Sequence, residues 1–441
     1  MINRTVLAFL LPAIISACST SPQSNQQRRL LRALNGKDFR DTLVVEREIP
    51  QIEQVAKSRY RISYRKDKSD KRQLYINQFL KPEYKLIALE SSDECMIGQI
   101  QNILTDDSLI FVYDGWHENV FVFNLEGKFI NRIGRKGHAR NEYTSMKYVT
   151  LDRRLKQVCL RDDYSQKLLF YDYQGHFLNC EPMYFWYDAV EIYEDKRVML
   201  TLPYPNPDYP ELEDYRLILT NGNGEPIGGA LANLGFPKYS LEKSKFRTSL
   251  PCPMHTYPDG VYFVDILSPD TIWRISDEGC EPILSADFGE PFSSPKVYSK
   301  MTNEKYWERI NEVPHLRDNF IFTQSFGFVS FGQSAIIDLK SGEYKIGRVS
   351  KQRGNPWQNL CTFALDLNLD GGMYLFKWDS DQFVRVLYAD DIIKHVRKFR
   401  LNPEGEDVYQ SWPQSDHDIL NNLSMEDNPV LIVGTFKEFR E

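Results

Sequence analysis

The amino-acid sequence predicts an all-β fold, a six-bladed β-propeller of four-stranded antiparallel blades, with the ring closed by strands from both ends of the chain and with short helical insertions. Composition is the first of three observations behind this. The 441 residues include 25 Tyr and 26 Phe, and 42% are hydrophobic, a balance that favours half-buried strands over helices. The second is an internal repeat. The frames Val120–Phe129 (VFVFNLEGKF) and Leu168–Phe177 (LLFYDYQGHF) correspond along their length, and their turn glycines, Gly127 and Gly175, lie 48 residues apart. A repeat of that length built from short strands is a propeller-blade signature. The third is the run Asn428–Phe436, NPVLIVGTF, which has no neighbour in sequence to pair with. A propeller covers such an open edge by closing its ring.

In chain order, residues 1–17 (MINRTVLAFLLPAIISA) read as a signal peptide: Arg4 supplies the positive start, and the apolar run Val6–Ile15 is too short to span a bilayer. Ile15, Ser16 and Ala17 precede Cys18 as in a bacterial lipobox, so Cys18 is the expected lipidation site and the expected link to a membrane. Residues 18–74 are then a tether and lead-in, and 75–441 the propeller. Ser, Gln and Arg dominate up to about residue 45, which suits a flexible tether. Tyr60–Gln73 reads as a solvated loop ending in a charge cluster, and Tyr84–Glu90 as a strand.

Blade 1 is expected at Ile97–Leu104, Leu109–Asp114, Val120–Asn124 and Lys128–Ile133, and blade 2 at Val149–Asp152, Gln157–Arg161, Lys167–Asp172 and His176–Cys180. Later blades keep the punctuation. Arg197–Pro203 and Tyr215–Thr220 with a turn at Asn223-Gly224 mark the third, and Gly260–Leu267 and Thr271–Ser276 with Glu278-Gly279 the fourth. Phe326–Phe331 and Ala335–Leu339 with Ser341-Gly342 mark the fifth, and Thr362–Asn368 and Met373–Trp378 around Asp370-Gly371 open the sixth. Lys296–Arg317, with Thr302 as N-cap, and Asp407–Leu423 carry helical spacing and read as insertions. Asn428–Phe436 is assigned to Tyr84–Glu90 as its partner in blade 6.

Charge and cysteine usage narrow the function classes. A formal net charge of -7 argues against a nucleic-acid partner, which needs a basic face. Cys95, Cys159, Cys180, Cys252, Cys280 and Cys361 show no CxxC spacing, so zinc ribbons and thioredoxin-like chemistry are not expected, and the thiols read mainly as buried small hydrophobes.

The segment YKLIALESSDECMIGQIQNILTDDSLIFVYD, followed by FNLEGKFINRIGRKGHARNEY, resembles the six-bladed β-propeller lipoproteins of Bacteroides-type bacteria, a family similar to NHL-repeat propellers. The resemblance extends over roughly residues 75–437 and is strongest in the first two blades and at the C-terminal NPVL. It implies a cell-envelope lipoprotein and no settled activity. In that family surface export resembles a rule that requires acidic residues after the lipidated Cys. Ser19–Gln23 is uncharged, which implies an outer-membrane anchor facing the periplasm. Where the family loop often reads GRKGQGPGEY, residues 134–143 read GRKGHARNEY, with loop glycines replaced and bulky side chains added.

Propeller topology puts second-to-third-strand loops and blade-to-blade links on one face. That face is expected to carry Trp116, His117, Arg135, His138, Arg140, Asp162, Asp163, Tyr204, Tyr209, Arg353, Trp357 and Trp378. Aromatic planes with charged neighbours suit a glycan, a peptide or an envelope protein as ligand. No HExxH, GxSxG or P-loop is present. The enzyme alternative is a hydrolase or lyase using carboxylates among Asp162, Asp163, Asp379 and Asp381, or a channel metal near His117 and His138. No cofactor and no metal is expected, since two histidines fall short of the three or four ligands a site needs.

Overall fold

The computed structural model describes residues 49–437 except 56, 65–72, 107, 184, 186, 202–211, 213–214, 233–253, 266–267, 290–314, 317–319, 332, 351–358, 367–374 and 379–380. The signal peptide, Cys18, most of Lys296–Arg317, the Asp370-Gly371 turn, Tyr204, Tyr209, Arg353 and Trp357 lie outside the described residues.

Three strands precede the first blade: β1 (Tyr60–Ser63), β2 (Gln73–Tyr75) and β3 (Leu80–Ala88). Blade 1 is β4 (Ile100–Asp106), β5 (Leu109–Asp114), β6 (Asn119–Asn124) and β7 (Phe129–Ile133). Blade 2 is β8 (Met146–Asp152), β9 (Gln157–Asp162), β10 (Lys167–Asp172) and β11 (Phe177–Pro182). Blade 3 is β12 (Tyr187–Tyr193), β13 (Lys196–Thr201), β14 (Tyr215–Thr220) and β15 (Pro226–Ala232). Blade 4 is β16 (Met254–Tyr257), β17 (Gly260–Val264), β18 (Thr271–Ser276) and β19 (Gly279–Asp287). Blade 5 is β20 (Phe320–Phe322), β21 (Phe326–Ser330), β22 (Ser334–Asp338) and β23 (Tyr344–Ser350). After helix α1 (Leu360–Asp366) come β24 (Phe376–Lys377), β25 (Gln382–Leu387), helices α2 (Ala389–Arg400), α3 (Pro403–Gln410) and α4 (Gln414–Asn422), and β26 (Val430–Phe436). Blade 6 runs β24-β25-β26-β3, so the ring closes as predicted, with Val430 opposite Ala88 and Val433 opposite Lys85.

The fold follows from strands that are apolar on both sides. In β5 the side chains alternate between two cores: Ile110 and Val112 join Val384, Leu431 and Val433 of blade 6, while Phe111 and Tyr113 join Val149, Leu151 and Leu160 of blade 2. A period of two divides each strand between its neighbours. The pattern repeats round the ring to give six hydrophobic clusters, one between each pair of adjacent blades. Gly127 shows why the repeat keeps its glycine: its φ is +81°, and a Cβ there would sit 2.2 Å from the Ala88 carbonyl oxygen on the outer strand of the preceding blade. Gly175, at φ +86°, faces the Arg132 carbonyl of blade 1 in the same way.

Two sequence expectations are corrected. Thr362–Asn368 is not the opening strand of blade 6, because Leu360–Asp366 is helical and buries Leu360, Phe363, Ala364 and Leu365 against the cluster between blades 5 and 6. Tyr60–Gln73 is not simply a solvated loop, because Tyr60–Ser63 pairs in parallel with β19. The segment from Pro50 onward is a strap along outer edges: Ile52 and Pro50 bond Gly229 of blade 3, Glu53 and Val55 bond Cys280 of blade 4, and β2 pairs with β23 of blade 5. These added strands cover edges that would otherwise present unpaired backbone groups. The insertion expected at Asp407–Leu423 is helical and larger, comprising α2, α3 and α4 between β25 and β26. Among the described residues no helix is long and apolar enough to cross a membrane.

Candidate functional site

Strands β4, β8, β12, β16, β20 and β24 are innermost and line the central channel. At one end of it, called the mouth face here, lie the β5–β6 loop, the β9–β10 loop and the β7–β8 connection. The two loops are repeats of each other. Asp114-Gly115-Trp116-His117-Glu118 corresponds to Asp162-Asp163-Tyr164-Ser165-Gln166, and Glu118 and Gln166 both take a left-handed backbone, at φ 57° and 51°.

The first residue of each loop is its anchor. Asp114 is fully buried and accepts from the backbone N–H groups of Gly98 at 2.9 Å, Gln99 at 3.0 Å and Trp116 at 3.0 Å, while His117 Nδ1 lies 2.7 Å from its Oδ2. Burial acts to raise the Asp114 pKa, but the bonds from Gly98, Gln99 and His117 outweigh it and hold the carboxyl below its ordinary range. Asp162, also fully buried, accepts from the Thr144 N–H at 2.7 Å, the Ser145 N–H at 3.0 Å and the Thr144 hydroxyl at 2.9 Å. Asp162 is therefore bound up in loop architecture. These anchors hold Trp116 and Tyr164 outward, 74% and 79% exposed.

The β7–β8 connection lies between the two loops. Glu118 accepts from Lys136 Nζ at 2.8 Å and Lys147 Nζ at 2.7 Å on one side. On the other, Lys167 Nζ donates to the Glu142 carbonyl at 2.6 Å, and the hydroxyls of Thr144 and Ser165 are 2.8 Å apart. Gly137 donates to the Tyr143 carbonyl and Tyr143 to the Arg135 carbonyl, so the connection is closed on itself over a buried Tyr143. Arg135, His138 and Arg140 are exposed on it.

Deeper in the mouth, three neighbouring inner strands break register at the same place. Shifts fall between Ile100 and Asn102 in β4, Met146 and Tyr148 in β8, and Tyr187 and Ala189 in β12. Each bulge displaces one polar residue from the pleat: Gln101, Lys147 and Asp188. A β-bulge re-aims a side chain in this way, and Gln101 and Lys147 reach the β5–β6 loop at Gly115 and Glu118. Beside Asp188, the buried Arg161 guanidinium lies 2.8 Å from Asp163 and donates to the Tyr187 and Asp188 carbonyls. Burial raises the Asp163 carboxyl, opposed by Arg161. Burial also lifts Asp188 to about 7, against the pull of Arg216 and Arg161 and with the support of Asp265 and Asp163. Arg216 and Asp265 form a buried pair at 2.7 Å that ties blade 3 to blade 4.

Below the mouth, side chains bridge the channel. Glu191 of β12 accepts from Tyr148 at 2.9 Å, Thr150 at 2.7 Å and Thr256 at 2.8 Å, and Lys377 of blade 6 donates to the Thr256 carbonyl at 3.2 Å.

The mouth thus gathers Trp116, His117, Arg135, His138, Arg140, Asp162 and Asp163 of the residues expected there. Trp378 is a correction. Because α1 replaces the expected first strand, Trp378 begins the first-to-second-strand turn of blade 6, on the opposite face, where its carbonyl accepts from Thr105 at the far end of β4. Asp381 lies in the same turn, so of the carboxylates weighed together Asp162 and Asp163 are on the mouth face and Asp381 is on the opposite one, while Asp379 lies outside the described residues. Among the described residues no three His, Cys, Asp or Glu side chains could hold a metal ion. Sequence reasoning puts the loop Asp162–Gln166 on this face without singling out Tyr164, and misses Lys147 and Asp188. The repeat alone could have indicated Tyr164, which stands 48 residues after Trp116. The opposite face holds a cleft of about 240 Å³ between blades 2 and 3, lined by Arg154, Glu181 and Arg197 among others.

Residues 60–435 match the family described as a domain of unknown function, DUF4934. The chain belongs to the DUF4934 family. Family membership begins at the strap strand β1 and extends into β26, so it takes in the closed ring. A crystal structure of a Bacteroides fragilis protein described as exported is similar, with 17% identity, a TM-score of 0.64, and coverage of 86% of this chain and 100% of that one. A DUF4221 member from Bacteroides vulgatus is 8% identical over 81% of this chain and 97% of its own, at a TM-score of 0.45. No curated protein matches.

Proposed function

We propose that this DUF4934 protein is an exported, NHL-like propeller lipoprotein, anchored through Cys18 to the outer membrane on its periplasmic side. Its mouth face binds a glycan, a peptide or an envelope protein, and the propeller is a binding module. The observation that carries the binding reading is the triple bulge, which turns Gln101, Lys147 and Asp188 of three successive inner strands towards one mouth. Bulges recurring at one level of one face re-aim side chains where a scaffold alone has no need of it. A rigid cup of this kind, with exposed aromatics at its rim, suits recognition. Export agrees with the apolar leader that precedes Cys18 and with the exported relative in fold.

The test is an array of glycans and peptides probed with the chain from residue 19 onward. A bound ligand should lose affinity roughly tenfold, the effect of losing interface anchor contacts, when Gln101→Ala and Lys147→Ala are combined. Unchanged affinity would remove the mouth from consideration. Anchoring is tested separately: Cys18→Ala should release the full-length protein from the membrane fraction, and continued retention would overturn the lipoprotein assignment.

A further inference from the structure

The rim of blades 1 and 2 carries two chemistries side by side. Trp116 and Tyr164, 74% and 79% exposed, occupy equivalent positions on consecutive blades. Between their loops the β7–β8 connection presents Arg135, His138 and Arg140, exposed and without an ion pair or side-chain hydrogen bond among the described residues. Neighbouring charges are already engaged. Glu118 is matched by Lys136 and Lys147, and the Glu142 carboxylate accepts from the Ala139 N–H at 3.0 Å. Asp163 is held by Arg161, and Asp114 and Asp162 are buried. Arg135 and Arg140 are thus the cations of this connection left without a side-chain partner among the described residues, in a chain whose formal net charge is -7.

We infer that the ligand of this rim is an acidic polysaccharide, whose sugar rings stack on Trp116 and Tyr164 while its carboxylate or sulfate groups pair with Arg135 and Arg140. The inference rests on the mouth-face reading and names its ligand class. Flat aromatic planes on two consecutive blades give the rings of one polymer two surfaces to stack on. Arginine recognises carboxylate and sulfate oxygens through its planar fork. An acidic peptide would satisfy the arginines but would leave two exposed aromatics without a planar partner.

The probes are polygalacturonate, heparin, the full methyl ester of the first, the desulfated, N-acetylated and carboxyl-reduced form of the second, and poly-glutamate, each run in affinity electrophoresis at two salt concentrations. One or both acidic polysaccharides should retard the protein, more at low salt, and their neutral counterparts and poly-glutamate should not. The pair Arg135→Gln and Arg140→Gln should weaken binding to the acidic polymer, and the pair Trp116→Ala and Tyr164→Ala should weaken it roughly fivefold, as loss of aromatic contacts does. All four side chains are exposed, so the melting temperature should stay the same. Equal binding of the neutral polymers would overturn the acidic class and leave the mouth reading standing. Equal binding of poly-glutamate would reduce the site to bare charge and overturn the inference, as would failure to bind either acidic polymer. Binding that survives both pairs of substitutions would remove this rim altogether.

Discussion

Asp114 and Asp162 end their strands beside a channel, where an unpaired carboxylate could do chemistry, yet each is consumed by backbone N–H groups that shape its own loop. Asp188 is the opposite case. Nothing in the local sequence YDAVEIY distinguishes it, because its displacement is a bulge set by pairing with β13 and its surroundings come from Arg161 and Arg216, distant in sequence. Its raised pKa has a consequence for stability. An aspartate ionises near 4 in the unfolded chain (about 3.9) and at about 7 when folded. The folded state therefore holds its proton more tightly, and the resulting stabilisation is complete below the unfolded value and lost as pH rises through about 7. Asp188→Asn should remove this dependence. In urea unfolding between pH 5 and 8 the native protein should lose stability relative to the variant by at most about 1.4 kcal/mol per pH unit. Parallel profiles for the two proteins would show that Asp188 does not hold the extra proton.

At the scale of elements, what could be read from the sequence was what local pattern specifies. Leu109–Asp114, Tyr215–Thr220 and Thr271–Ser276 are strands with the expected bounds, because short runs rich in aliphatic and aromatic residues between turn residues leave little alternative. Thr362–Asn368 misled because its residues alternate as a strand would, while Leu360, Cys361, Phe363, Ala364 and Leu365 are all buried, so no polar face marks the helix. Asn359, whose side chain accepts from the Thr362 N–H at 2.8 Å, was the overlooked helix start. That one substitution of helix for strand moved Trp378 to the wrong face. Tyr60–Ser63 was illegible for a different reason: four residues with one buried Ile62 carry no signal until β19 supplies the ladder. Gly228 admits the strap to blade 3, since a Cβ there would lie 2.7 Å from Ile52. This need is visible only once the two segments are together.

The whole molecule is a ring whose cores lie between blades, so each blade depends on two neighbours and closure matters more than any single sheet. Asn428 sits at that closure. It is 1% exposed; its Oδ1 accepts from the Ile97 N–H at 2.8 Å, and its Nδ2 donates to the Glu90 carbonyl at 2.7 Å and the Cys95 carbonyl at 2.8 Å. One side chain thus fastens the entry to β26 onto the link between β3 and β4, joining the last part of the propeller to its first. Asn428→Ala would take their partner from the Ile97 N–H and the Cys95 carbonyl and leave the Glu90 carbonyl only the Cys95 thiol, and a buried group left unmatched costs energy because water cannot replace the bond. A destabilisation of about 2–3 kcal/mol is expected. Because the clusters on both sides of blade 6 are shared with blades 1 and 5, the loss should lower the urea midpoint of one cooperative transition without changing its slope. A shallow early phase confined to blade 6 would instead mean that the ring opens locally before it unfolds.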